Sequence, residues 1–87
     1  MKIKDGYLLS EVAGTAVVVP VNPDHTFRNM LKLNGTGKLL WEALLTETTE
    51  EAIISLLVAE YEIDVAVAAA DVERFLATLR TYGVLEE

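Results

Sequence analysis

Few side chains in this sequence have the types and spacing that catalysis requires. His25 is the only histidine and there is no cysteine, so any metal site would consist mainly of carboxylates. Ser10 and Ser55 have no histidine placed by sequence to activate them. Lys38 follows Gly35-Thr36-Gly37, which lacks the full spacing of a phosphate-binding loop. The sequence therefore predicts no catalytic residue, no cofactor and no metal site, and we interpret His25 as a solvated loop residue.

Length and composition predict a single small globular domain. The chain has 87 residues, of which 52% are hydrophobic, so it can bury enough apolar surface to fold over residues 1–87. Its first residues are charged, and its longest apolar runs are far shorter than the ~18 residues of a membrane span. We therefore expect a cytoplasmic protein without a membrane partner.

Charge is divided unevenly along the chain. Residues 1–43 carry five basic and four acidic side chains, whereas residues 44–87 carry two basic and ten acidic ones. The formal net charge is -7. Because nucleic acids are bound by clustered Lys and Arg that neutralise phosphates, this balance predicts that the chain has no nucleic-acid partner.

The first third of the chain has the pattern of three strands. Tyr7–Val12 and Ala16–Val19 are rich in strand-forming residues and flank a turn at Ala13-Gly14-Thr15, which predicts a hairpin. A second turn at Asn22–His25 precedes a third strand over about Phe27–Leu33. Alternation divides this strand into two faces, with Phe27, Asn29, Leu31 and Leu33 on the buried face and Arg28, Met30 and Lys32 on the other.

The remainder predicts three helices. The first follows the turn at Asn34–Gly37 over about Lys38–Leu45, with Trp41 as a core residue. A capping box formed by Thr48 and Glu51 is expected to begin the second. The third is expected to begin after Asp64, to end at Gly83, and to be followed by Val84-Leu85 packing on the core. Strands over about 7–33 and helices over about 36–83 give an α+β domain with a three-stranded antiparallel sheet followed by three helices.

The third strand is the candidate binding element. Basic residues on its outer face and the neighbouring prolines predict an edge strand. An edge strand exposes unpaired backbone groups to which an extended peptide can add. The competing interpretation is that Arg28 and Lys32 only protect the edge against unwanted pairing.

Several motifs, in their order and spacing, resemble one known family. In chain order they are Gly6-Tyr7-Leu8-Leu9, Leu33-Asn34-Gly35-Thr36-Gly37, Trp41-Glu42-x-Leu44, Thr48-Thr49-Glu50-Glu51 with Ile53, Tyr61-Glu62-Ile63, and Asp71-Val72-x-x-Phe75-Leu76-x-x-Leu79-x-x-x-Gly83-Val84-Leu85. Together they cover nearly the whole chain and look like the PqqD-like family, the recognition domains for precursor peptides in pathways of ribosomally made, modified peptides. The resemblance implies a winged-helix-like fold.

The resemblance also implies a non-catalytic peptide chaperone. In such domains the leader segment of the precursor adds to the third strand, in a groove closed by the third helix, and is presented to a modifying enzyme. That enzyme would be a radical S-adenosylmethionine (SAM) enzyme or a leader peptidase. Carried over to this chain, the peptide-binding residues are Arg28, Asn29, Met30, Leu31 and Lys32 of the strand, and Asp71, Arg74, Phe75 and Thr78 of the helix.

Some alternatives stay open at this point. Family members that serve pyrroloquinoline quinone synthesis resemble a pattern with a Leu-Leu-Tyr-Pro-Glu-Gly-like stretch that leads into the third strand, and residues 22–30 of this chain lack it. The pathway is therefore either pyrroloquinoline quinone synthesis or another peptide-derived one. Phe75 faces either the groove or the core. The free edge is compatible with a monomer or a weak homodimer. A winged-helix DNA-binding domain, or another protein-interaction domain, is the alternative function.

Overall fold

The computed structural model describes residues 1–21 and 31–87. In this part of the chain, a three-stranded antiparallel sheet is followed by three helices, as the sequence predicts, and a short two-stranded sheet is added. In chain order the elements are β1 (Lys2–Ile3), β2 (Tyr7–Val12), β3 (Thr15–Pro20), β4 (Leu31–Leu33), α1 (Gly35–Ala43), α2 (Glu50–Tyr61), α3 (Val65–Tyr82) and β5 (Leu85–Glu86). The predicted α+β fold class is confirmed. None of the three helices described has the length and apolar composition needed to cross a membrane.

The β2–β3 hairpin closes through a two-residue turn. Val12 is paired with Thr15, and both residues between them have positive φ, 52° at Ala13 and 81° at Gly14. This turn type matches the right-handed twist of the strands, and glycine adopts its conformation without steric cost. The predicted hairpin is therefore confirmed, with a register that runs from Tyr7 opposite Pro20 to Val12 opposite Thr15.

The strand β4 is the last strand of the sheet in the order β2-β3-β4. Its residues Leu31, Lys32 and Leu33 lie opposite Val18, Val17 and Ala16 of β3. Leu31 and Leu33 are buried and Lys32 is exposed, so the predicted alternation is confirmed for these three residues. The predicted turn at Asn22–His25 and the first part of the third strand, Phe27–Met30, lie outside the described residues.

The first two helices begin at different residues from those predicted. The helix α1 begins at Gly35, three residues before the predicted start at Lys38, because the Asn34 side chain accepts a hydrogen bond from the Gly37 N–H at 2.7 Å. The predicted strand-to-helix turn is thus the first turn of the helix itself. The predicted Thr48 capping box is wrong, since Thr49 is the N-cap of α2 and accepts from the Ala52 N–H at 3.1 Å.

The third helix begins and ends as predicted. The Asp64 carboxylate accepts from the Ala66 N–H at 2.8 Å, and Gly83 ends the helix in the left-handed conformation. Beyond it, Val84 and Leu85 are buried. Leu85 also belongs to β5, which pairs with β1, and this small sheet was not predicted because each of its strands has only two residues.

The core lies between one face of the sheet and the three helices. Trp41 of α1 is 1% exposed, which confirms its predicted core position. It belongs to a cluster in which every element except β2 contributes a buried apolar residue. The largest buried side chains are Trp41, Leu40, Leu44, Ile53, Leu57, Leu76 and Leu79.

An ion pair connects the β2–β3 hairpin with α1. Lys38 Nζ donates to Glu11 Oε1 across 27 residues of sequence, and both side chains are partly exposed. The hydrogen bond from Lys38 lowers the pKa of the Glu11 carboxyl below its usual value of 4.5. The same bond raises the pKa of the Lys38 ammonium above 10.5. The Glu11 carboxylate and the Lys38 ammonium are therefore both charged between pH 4.5 and pH 10.5.

We predict that Glu62→Gly stabilises the fold. Glu62 ends α2 with φ of 51°, a left-handed conformation that is unfavourable for residues with a Cβ atom. Glycine at this position should raise the free energy of unfolding by about 1 kcal/mol, measured by urea denaturation. The control Glu60→Gly removes the same charge from within α2 and should lower it by about 0.5 kcal/mol. Equal effects of the two substitutions would contradict the prediction.

We also predict a pH-dependent effect of Glu11→Gln. The folded-state pKa of Glu11 is lowered, so its contribution to stability is fully present above pH 4.5 and is lost as the pH falls further. The melting temperature of Glu11→Gln should be below that of the wild type at pH 7, and the difference should disappear in acid. The control Glu73→Gln removes an exposed charge from α3. A melting-temperature difference for Glu11→Gln that is independent of pH would refute this assignment.

Candidate functional site

A groove lies between β4 and α3, and no residue of β3 lines it. It consists of two adjoining clefts of about 180 and 250 Å³. Both are lined by Asn34, Gly37, Phe75 and Thr78. The smaller cleft also contacts β4 at Leu31, Lys32 and Leu33, and the larger one extends to Thr36, Leu40, Asp71 and Arg74. We call the two clefts together the β4–α3 groove.

The floor of the groove depends on the absence of a side chain at Gly37. A Cβ atom there would lie 3.3 Å from Cε1 of Phe75, 3.4 Å from Cβ of Leu33 and 3.2 Å from Oδ1 of Asn34. The distances to Phe75 and Asn34 are shorter than ordinary van der Waals contacts, and the distance to Leu33 is at their lower limit. Glycine therefore allows the ring of α3, the end of β4 and the cap of α1 to meet at one point.

Phe75 belongs to both the core and the groove. It is partly buried and packs against the core cluster, yet it also lines both clefts. The sequence left its direction open between these two surroundings. Its position at the boundary provides the groove with an apolar floor, since an aromatic ring offers a large apolar area.

The rim of the groove on α3 is polar. Arg74 Nη2 donates to Asp71 Oδ1 one turn earlier, and its side chain is 76% exposed. One turn later, the Thr78 hydroxyl donates to the Arg74 backbone oxygen at 3.1 Å. Because Asp71, Arg74 and Thr78 are spaced three and four residues apart, they lie on the same side of the helix. This rim can donate to and accept from an extended backbone or polar side chains in the groove.

The structure brings together the predicted site residues that it describes. Leu31 and Lys32 of β4 and all four predicted helix residues, Asp71, Arg74, Phe75 and Thr78, line the β4–α3 groove. The remaining predicted strand residues, Arg28, Asn29 and Met30, lie outside the described residues. In the described part of the chain, β3 is the one strand that pairs with β4, so the other side of β4 carries no further strand.

Five groove residues were not predicted from the sequence, namely Leu33 at the end of β4 and four residues that follow it. Asn34, Thr36, Gly37 and Leu40 come from the start of α1. This segment was predicted to form a turn followed by a helix that packs on the core. The Asn-Gly-Thr-Gly sequence signals a helix start, but it does not show which helix packs against it. The packing of Phe75 on Gly37 brings these residues into the groove.

Among the described residues, no group of three or more His, Cys, Asp or Glu side chains is placed to hold a metal ion. The groove combines an apolar floor with paired charges and hydroxyls at its rim. Such a lining suits the binding of an extended chain, with alternate residues directed toward the floor.

Comparison with known proteins gives two matches. The family described as coenzyme PQQ synthesis protein D (PqqD) matches residues 15–85. The chain is also similar to a solved structure described as TbiB1 in complex with the TbiA(beta) leader peptide, with 26% sequence identity and a TM-score of 0.78. That similarity covers 99% of this chain and 95% of the other. No curated protein sequence matches the chain at a significant level.

The match to the family extends over most of the chain and includes β3, β4 and all three helices. The groove lies within the matched residues, and the order of the elements agrees with the fold that the resemblance implies. On these grounds, the chain belongs to the PqqD family.

Proposed function

We propose that this chain binds the leader segment of a ribosomally made precursor peptide as an added strand along β4, and presents it to a modifying enzyme. The observation that carries the proposal is the open side of β4 beside the β4–α3 groove. It is supported by the similarity of nearly the whole chain to a protein that was solved with a leader peptide. The precursor peptide is the primary partner in this proposal.

Strand addition explains why affinity and selectivity would come from different parts of the groove. Backbone groups on the open side of β4 would pair with the peptide and provide affinity that is independent of its sequence. Every second peptide side chain would point toward the floor at Phe75 and Leu40. The intervening side chains would face solvent beside Lys32, which is exposed on the other face of β4.

The same proposal extends to residues 28–30. Arg28, Asn29 and Met30 precede Leu31 directly and would lengthen the strand available for pairing from three residues to six. Arg28 and Lys32 would also attract acidic residues of the peptide, because no acidic residue occurs between Phe27 and Leu33.

In this proposal the chain is not an enzyme. Chemistry on the peptide would belong to the partner, a radical SAM enzyme or a leader peptidase, and the chain would hold the substrate. The DNA-binding alternative requires a basic recognition helix. In α3 the two basic residues, Arg74 and Arg80, are paired with Asp71 and Glu87, so nothing in this helix favours that alternative.

The first test is genomic. A short open reading frame next to genes for this chain and for a peptide-modifying enzyme would identify the precursor. A synthetic peptide with the N-terminal segment of that precursor then serves as the probe. Titration into isotopically labelled protein should shift the backbone amides of residues 28–33 and of α3. Shifts confined to α2 would contradict the proposed binding mode.

We predict that Thr78→Tyr weakens binding of this peptide about tenfold or more, because the larger side chain fills the groove. Thr81→Tyr is a matched control. Thr81 is also exposed on α3, and its hydroxyl bonds the backbone oxygen four residues earlier at 3.0 Å, as that of Thr78 does at 3.1 Å. The dissociation constants can be measured by fluorescence anisotropy. Similar losses in both variants would count against the groove as the binding site.

We further predict that Gly37→Ala reduces peptide affinity while changing the free energy of unfolding by less than about 1 kcal/mol. Alanine favours the helix by about that amount, and this gain opposes the close contacts with Phe75 and Leu33. The displaced ring would occupy the groove. In a Phe75→Leu background the added methyl group should have little effect on affinity. If Gly37→Ala weakens binding equally in both backgrounds, the Phe75 ring does not mediate its effect.

A further inference from the structure

A cluster of exposed apolar side chains lies at the turn between α2 and α3. Tyr61 ends α2, Val65 and Val67 belong to the first turn of α3, and all three are exposed. They are three of the eight large hydrophobic residues that are exposed in the described part of the chain, yet they lie within seven positions of sequence. Single exposed apolar residues are normal, whereas a concentration of them with a polar rim is typical of protein interaction sites.

Acidic residues alternate with the apolar ones at this turn. Glu60, Glu62 and Asp64 are exposed, and within the described residues none of them forms an ion pair with a cation. The sequence has no Lys or Arg in residues 39–73. The turn therefore combines exposed apolar side chains with carboxylates that no ion pair neutralises. We call the surface formed by residues 60–67 the α2–α3 corner.

The α2–α3 corner adjoins the β4–α3 groove. Val67 precedes Asp71 of the groove rim by one helical turn, so both lie on the same side of α3. The Tyr61 hydroxyl approaches the start of α1, because a Cβ atom at Gly35 would lie 3.9 Å from it. The residues on either side of Gly35 line the groove, but no residue of the corner does. A protein bound at the corner would therefore stand beside a peptide in the groove without displacing it.

We propose that the α2–α3 corner is the surface on which the modifying enzyme docks, through a patch where apolar side chains are surrounded by Lys and Arg. This inference rests on the proposed function, in which the chain presents a bound peptide to an enzyme. Presentation requires a contact outside the groove, because the peptide fills the groove itself. The unpaired carboxylates select a basic partner surface. The apolar residues supply the area that docking removes from water, and tyrosine is among the residues that contribute most to such interfaces.

A second copy of the chain fits the corner poorly. Symmetric dimers bring the same patch of both chains together. The carboxylates of Glu60, Glu62 and Asp64 would then face those of the other copy, and like charges that meet at an interface oppose association. The charge of the corner therefore favours a different, basic protein as its partner.

The experiment uses the full chain and the peptide-modifying enzyme whose gene lies next to that of the chain. Val65→Lys places a cation in the corner and should weaken enzyme binding about tenfold or more, because it repels the basic partner surface. Its affinity for the precursor peptide should be unchanged. Val12→Lys is the matched control, since Val12 of β2 is 59% exposed and Val65 is 62% exposed. This variant should bind the enzyme as the wild type does.

Glu62→Gly separates docking from folding. It is predicted above to stabilise the chain, because Glu62 has a φ of 51°. The same substitution removes a carboxylate from the corner and should weaken enzyme binding about two- to threefold at low salt. Glu51→Gln removes an exposed carboxylate from the other end of α2 and should leave enzyme binding unchanged. Thermal unfolding checks that each variant is folded, and biolayer interferometry measures the affinities.

The two affinities distinguish failure of the docking surface from failure of the proposed function. Enzyme binding that is unchanged in Val65→Lys or in Glu62→Gly, or a loss in Val12→Lys instead, would overturn the docking surface and leave peptide binding intact. An equal loss of peptide affinity in Val65→Lys, or a wild-type dimer that this variant dissociates, would also overturn it. If the wild type binds the peptide but not the enzyme, presentation fails together with the docking surface. If the wild type does not bind the peptide, the proposed function itself is wrong.

Discussion

The close approach of Phe75 to Gly37 is the contact on which the site depends. It brings α3 over the start of α1 and over Leu33 at the end of β4. A Cβ atom at residue 37 would press against the Phe75 ring and the Asn34 cap. Leu31 and Leu33 of β4 are buried in the core cluster against which Phe75 packs.

The remaining elements hold this arrangement in place. The central strand β3 fixes the position of β4, with Ala16 opposite Leu33 and Val18 opposite Leu31. The Asn34 cap begins α1 directly after β4, with only this residue between the strand and the helix. At the end of the chain, β5 pairs with β1. The site is thus built on regular elements, which favours a preformed surface.

Electrostatics divides the molecule into two surfaces. Residues 44–87 carry ten of the 14 acidic side chains, whereas residues 27–33 include Arg28 and Lys32 and no acidic residue. In the groove, Arg74 is neutralised by Asp71, so binding there would rely on shape and backbone pairing more than on net charge. In the proposed complex, a basic surface of the modifying enzyme would complement this acidic half of the chain.

Local sequence patterns were enough to predict the class of fold, and the resemblance to a known family pointed to the four helix residues that line the groove. Alternation, turn residues and caps are local properties, so the hairpin, the faces of Leu31 and Leu33, and the ends of α3 were predicted correctly. The spacing of Asp71, Arg74, Phe75 and Thr78 places them on one helix face in any fold. Only the packed structure shows that Leu33, Asn34, Thr36, Gly37 and Leu40 complete the groove and that Lys38 pairs with Glu11. The pairing of β1 with β5 could not be predicted either, because these contacts join residues far apart in sequence whose meeting depends on how the whole core packs.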